Sequence, residues 1–270
     1  MPAPLGPREI WELRSEETGI DYALHLSRSG PDPQALLLLT DADAMFGLTV
    51  DAVRMLQLPG LVGDVWVAGI GYPGGHGFQD TMEPRMRDLT PSAWEWVPGG
   101  GGGPAFARFI VRQVLPQLRT RCGAAADDVT YFGHSLGGLF GTHLLLEHPH
   151  AFRRWLISSP SLWWGGLSVL EHPALADPGE LRGEVFFGIG GLETDEGRRE
   201  EARFLPDDHP MKPPGHYLDM VEDLRRFVTR LREVAPQALA IDSLVIEDEY
   251  HATVPWTVLT RGLRAFPPSR

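Results

Sequence analysis

Residues 133–137 read GHSLG, with a serine between two glycines where a β-rich run, VTYF, meets a helically spaced run, LFGTHLLLEH. A strand that turns abruptly into a helix would hold Ser135 in a strained backbone and lift its hydroxyl above a sheet. Glycines two residues to either side remove β-carbons that would collide in so tight a turn. The helix amino terminus behind the serine offers N–H groups and positive partial charge to a developing oxyanion, the backbone N–H of Leu136 first among them. The five-residue pattern is common, and its flanking strand and helix are what give it content. The competing reading is a glycine-rich turn with an incidental serine.

A serine hydroxyl is a poor nucleophile without a base. On a sheet of this kind the chain order is serine, acid, histidine. His251 follows the apolar run SLVI and precedes the helical WTVLTRGLRAF, so its loop should emerge at the carboxyl edge of the sheet beside Ser135. His148, His150 and His172 precede the later strands, and His209 and His216 lie in a proline-rich stretch. The acid is expected just past VFFGIG, with Glu193 the first choice and Asp195 the second. It would hold the imidazole tautomer and stabilise the imidazolium. Trp163 and Trp164 follow the strand WLISS, and Tyr72, Trp94 and Trp96 sit in a long connection. These aromatics suit either a substrate wall or plain core. Arg85 and Arg87, in RMRDLTP, could meet an anionic substrate or pair with Asp88 to pin their loop.

The elements that must position these groups follow from the apolar pattern. Short apolar runs predict strands at Tyr22–Leu26, Ala35–Leu39, Val65–Ile70, Val129–Phe132, Trp155–Ile157, Val185–Ile189 and Leu244–Ile246. Runs such as ALLLL are continuously apolar, which suits parallel strands covered on both faces. Helical spacing places Phe106, Phe109, Ile110, Val114, Leu115 and Leu118 on one face between Pro104 and Gly123, with a bend at Pro116. A second such helix carries Met220, Leu224, Phe227, Leu231 and Val234. The alternation predicts an α/β fold, a doubly wound, mostly parallel central sheet with helices on both faces, formed by residues 1–270 as one domain. The first two predicted strands, with no helix between them, suggest an antiparallel hairpin at one edge. Residues 71–104 and 191–216 read as long loops, and the five glycines at 99–103 as a flexible hinge.

Composition excludes several classes. The chain has 270 residues, 43% of them hydrophobic, and a net charge of −12, which argues against nucleic acid or an acidic membrane surface as a partner. Its single cysteine, Cys122, rules out an internal disulfide and a thiolate zinc cluster. No basic head with an apolar run opens the chain, and no stretch is long and apolar enough for a bilayer, so a cytoplasmic setting is expected. GIGYPG matches a dinucleotide fingerprint in letters, but Pro73 and the glycines that follow leave no helix to receive a pyrophosphate. EHPH offers two histidines without further ligands nearby in sequence, so no metal and no cofactor are expected.

The pieces TDADAMF, RMRDLTP, GGGGGPAFARFIVRQVLPQL, GHSLGGLFGTHLLLEHP, ISSPSLWW and EDEYHATVPWTVLTRGLRAF occur in that order between about residues 20 and 266. In this the chain resembles the α/β-hydrolase-fold esterases related to esterase D, and among them the ferric-enterobactin and other siderophore esterases. The resemblance implies the α/β-hydrolase fold, metal-free ester hydrolysis, Ser135 as nucleophile, His251 as base and Glu193 as acid. It also implies a second oxyanion donor in the loop after an early strand, here the backbone N–H of Asp43. Ala42 stands where that family usually has glycine.

The function expected is a serine esterase that forms and hydrolyses an acyl-enzyme on a small-molecule ester, with no protein partner implied. A siderophore trilactone is the substrate the resemblance implies. The alternatives are a short-acyl or carbohydrate-ester carboxylesterase, an acyltransferase on the same scaffold, and a non-catalytic binding module.

Overall fold

The computed structural model describes residues 8–95, 99–201, 203 and 219–269. Trp96, His209 and His216 lie outside them. Eight strands form one sheet: β1 Glu9–Arg14, β2 Asp21–Arg28, β3 Ala35–Leu39, β4 Val65–Gly71, β5 Val129–His134, β6 Arg154–Ser158, β7 Gly183–Gly190 and β8 Leu239–Ile246. Their order is β1-β2-β4-β3-β5-β6-β7-β8. β2 runs antiparallel to both β1 and β4, and every pair from β4 to β8 is parallel.

The helices described are α1 Ala42–Gln57, α2 Phe78–Asp88, α3 Gly103–Phe109, α4 Leu115–Cys122, α5 Leu136–Glu147, α6 Trp164–Leu167, α7 Asp195–Glu201, α8 Met220–Val234 and α9 Val254–Ala265. They divide the core into two layers. Met45, Phe46, Val50 and Val53 of α1 and Val258, Leu259 and Leu263 of α9 pack on Leu37, Leu39, Phe132, Leu156 and Phe186. Residues of α3, α4, α5 and α8 pack on the alternate strand positions, Leu36, Leu38, Tyr131, Trp155, Ile157 and Phe187. Successive strand residues therefore enter opposite cores, which explains why these strands read as unbroken apolar runs.

Three features depart from expectation. The edge hairpin joins β2 to β1, and β4 separates β2 from β3. β1, EIWELR, is a half-exposed edge strand whose charged outward positions dilute its apolar signal. Second, both connections read as long loops contain helices: α2 at 71–104, disguised by Pro84 and its charged residues, and the charged α7 at 191–216. Third, the glycine run is pinned rather than hinged. Gly101 N–H donates to Thr90 Oγ1, Gly102 N–H to Arg87 O and Gly103 N–H to Thr90 O, at 2.8, 2.8 and 2.9 Å. β-Carbons there would press into residues 87–93, so the absence of side chains permits this close approach. In the helix opened by Pro104, one π-helical turn, Ile110–Val114, separates α3 from α4 just before Pro116. Pro116 has no N–H to return to the preceding turn, and the widened turn absorbs that loss.

Candidate active site

Ser135 lies between the end of β5 and the first residue of α5, at φ 59° and ψ −118°, a conformation that L-residues rarely adopt. Its N–H donates to Ser158 O at 3.0 Å, which ties the turn to β6. A β-carbon on Gly133 would fall 2.3 Å from Gly137 O, and one on Gly137 would fall 2.6 Å from Thr40 Oγ1. Both flanking glycines are therefore required by contact. Beneath the turn, the buried Tyr131 hydroxyl donates to Gly137 O at 2.7 Å. Leu136 opens α5, and the first backbone N–H groups of a helix lack intrahelical acceptors.

His251 follows β8 and crosses 116 positions of sequence to bring Nε2 within 2.9 Å of Ser135 Oγ. Its Nδ1 lies 2.6 Å from Glu193 Oε2. Glu193 is fully buried just past β7. Its other oxygen, Oε1, accepts from Ser159 Oγ at 2.5 Å and from Gly190 N–H at 2.9 Å. Burial alone would raise this carboxyl, but the charge and hydrogen bond of His251, with Ser159 and Gly190, outweigh it and hold the group below its ordinary value. An ionised carboxylate on Nδ1 selects the tautomer with a proton on Nδ1 and a lone pair on Nε2, facing the serine. Asp195 instead pairs with Arg199 along α7, at 2.9 Å.

Two residues of this cluster escape sequence reasoning. Ser159 sits one residue beyond β6 at φ 40°, between the serine turn and the end of β7. Its position at the carboxyl end of a parallel strand is the signal that could have found it. His134, buried beside Ser135, bonds through Nδ1 to Ser158 Oγ at 3.0 Å, and its ring centroid lies 4.5 Å from that of His251. Burial, with the charges of His251 and Arg85, holds His134 well below the ordinary histidine range, so it packs against His251 as a neutral ring.

The other expected residues have internal partners. The Arg85 guanidinium is 4% exposed and grips Asp41, Nε to Oδ1 at 2.5 Å and Nη2 to Oδ2 at 3.2 Å, and it lies over the Phe78 ring. Arg87 makes two 2.8 Å contacts to Asp88, whose Oδ2 also accepts from the Tyr22 and Tyr72 hydroxyls. The structure thus gives both arginines a carboxylate within the chain, Asp41 for Arg85 and Asp88 for Arg87. The Asp43 carboxylate accepts the N–H of Tyr72 at 2.9 Å. The Asp43 amide, expected as the second oxyanion donor, lies in the first turn of α1, just past the end of β3. Trp164 is buried core, its Nε1 donating to Ser92 O at 3.0 Å, while Trp163 is half-buried against Trp94, with ring centroids 5.8 Å apart. Burial pushes the Cys122 thiol up to about 12, which leaves it unreactive.

A hydroxyl, an imidazole and a carboxylate in one hydrogen-bonded line supply a nucleophile, a proton acceptor and an orienting charge. Comparison with known proteins gives the chain's relatives. Ferri-bacillibactin esterase BesA of Bacillus subtilis is 27% identical over 95% of this chain and 88% of its own length. The siderophore triacetylfusarinine C esterase of Aspergillus fumigatus is 28% identical over 98% of this chain and 94% of its own. The crystal structure of the BES protein from Bacillus cereus superposes with a TM-score of 0.77 at 30% identity, covering 95% of this chain and 93% of that one. The family described as "Putative esterase" matches residues 74–212, more than half of the sequence. The chain belongs to this esterase family and is a carboxylic ester hydrolase with the α/β-hydrolase fold.

Proposed function

We propose that the chain is a siderophore esterase in which Ser135 attacks a lactone or ester carbonyl. His251 takes the hydroxyl proton at Nε2 and returns it to the leaving alkoxide. Glu193 holds the imidazole and stabilises its cationic form. The N–H of Leu136 faces the developing oxyanion. Water, deprotonated by the same imidazole, then releases the acyl group. The observation that carries this reading is the unbroken line from Ser135 Oγ through His251 to Glu193, at 2.9 and 2.6 Å. The siderophore substrate is supported by the names of the relatives matched over nearly the full chain. Among the described residues no helix is long and apolar enough to cross a membrane. A cytoplasmic setting is part of the proposal, consistent with one cysteine in 270 residues.

A fluorophosphonate probe should label Ser135, and Ser135→Ala should abolish both labelling and turnover of p-nitrophenyl butyrate. Parental turnover by Ser135→Ala would end the proposal. A substrate panel of ferric bacillibactin, ferric triacetylfusarinine C and simple acyl esters then ranks the classes. One observation bears on that ranking. Ferric catecholates carry net negative charge and ferric trihydroxamates do not, and both Arg85 and Arg87 are already neutralised by Asp41 and Asp88. The uncharged hydroxamate ester is therefore expected to be the better substrate.

A further inference from the structure

Beyond the hydrolytic site, three potential metal ligands converge. His143 and Glu147 lie four residues apart on α5, hence one turn apart on the same face. His172 approaches them from the connection between β6 and β7. Glu147 Oε1 is 3.7 Å from His172 Nε2, and the two imidazoles meet edge to face with centroids 5.6 Å apart. One donor atom from each residue lies within 4.8 Å of the others. His143 Nε2 is shut away from solvent and has no hydrogen-bond partner among the described residues. An orphaned buried nitrogen is costly unless something accepts its lone pair.

We propose that His143, Glu147 and His172 form a zinc site that ties the β6–β7 connection to α5. Two imidazoles and a carboxylate are a ligand set that zinc accepts, with water in the fourth position. Magnesium and calcium prefer all-oxygen shells and are disfavoured here. His143 is eight residues along α5 from Ser135, about 12 Å, so the metal takes no part in ester cleavage. The connection it would clamp carries Trp163 and Trp164, and its short 3₁₀ turns lack the ladder bonds of a sheet. His172 Nδ1 now accepts the N–H of Ala174 at 3.2 Å. Zinc on Nε2 turns Nδ1 into a donor, so that contact must open as the metal enters. This reverses the expectation of no metal, which missed the site because His172 lies 29 and 25 positions from its partners in sequence.

The test titrates zinc into the full chain against a chromogenic chelator. One equivalent should bind, unaffected by excess magnesium, and the Ala174 amide resonance should shift in step with occupancy. His143→Ala, His172→Ala and Glu147→Gln should each weaken binding by more than about 100-fold, the upper range for losing a residue that merely supports a ligand. His150→Ala, which removes an exposed imidazole paired with Glu180, should leave binding intact. Fluorophosphonate labelling of Ser135 in each variant reports that it is folded. Absence of saturable binding, undiminished binding in labelling-competent His143→Ala and His172→Ala, or equal competition by magnesium would overturn the proposal.

Discussion

Replacing Glu193 by glutamine tests the hydrogen-bonded line most sharply, because the substitution keeps shape and changes only donors and acceptors. Oε1 receives two donors, Ser159 Oγ–H and Gly190 N–H, and Oε2 receives one, from His251 Nδ1. Glutamine has one oxygen and one NH₂. If the NH₂ replaces Oε1, it meets the Gly190 N–H, a donor that cannot turn away. If it replaces Oε2, it meets His251, which can exchange tautomers and accept at Nδ1. The second arrangement costs less, and it puts the imidazole proton on Nε2, pointing at Ser135 Oγ. A base with its lone pair on the wrong nitrogen cannot take the serine proton, and the equivalent change in a serine protease lowers kcat about 10⁴-fold. That factor corresponds to about 5.4 kcal/mol of lost transition-state stabilisation. The assay is steady-state hydrolysis of p-nitrophenyl butyrate near pH 7.5, with circular dichroism confirming the fold. A Glu193→Gln enzyme within about threefold of parental kcat would refute the assignment of Glu193 as the orienting acid.

Further outcomes follow from neighbouring contacts. Ser159→Ala leaves Glu193 Oε1 with Gly190 alone, and losing one bond to a charged group, about 1.5–3 kcal/mol, should lower kcat roughly 10- to 100-fold with KM little changed. Unaltered kcat would make Ser159 a bystander. Gly133→Ala should destabilise the chain by about 3 kcal/mol, measured by urea unfolding, because the new methyl meets Gly137 O and the Tyr131 hydroxyl and neither can retreat. Acid should weaken the fold through His25, which burial, with the Arg8 charge, lowers to about 4. Above the ordinary value near 6.5 both states are neutral; below it only the unfolded chain takes the proton, so stability is lost as pH falls from about 6.5 to 4. That window is worth up to about 3 kcal/mol for this group, and unfolding curves at pH 7.5 and 4.5 should differ less in His25→Leu.

Much of this molecule could be read from its chain. Continuously apolar runs marked the parallel strands because each is buried on both faces, and the residues at their carboxyl ends, Ser135, Glu193 and His251, follow from the order in which such strands deliver loops to one edge. The unreadable parts share a cause. Asp41 and Arg85 are 44 positions apart, and Ser159 and Glu193 are 34 apart. Such pairings depend on which strands become neighbours, and nothing local encodes that. β1 and α2 escaped because half-exposed charged elements carry little periodic signal, and Pro84 reads as a break in a helix that tolerates it. Arg85 looked available to a substrate because its carboxylate partner belongs to a different element.

The imidazole at 251 arrives with the last strand of the sheet, after every other component of the cluster has been synthesised. A nascent chain on the ribosome can already contain the serine turn and the buried glutamate, yet its hydroxyl has no proton acceptor until β8 has paired with β7 and its following loop has folded back. On the proposed mechanism, ester cleavage is thus withheld from incomplete chains by topology. On that mechanism a product truncated before residue 239 keeps the serine turn and the buried glutamate but lacks the base that joins them.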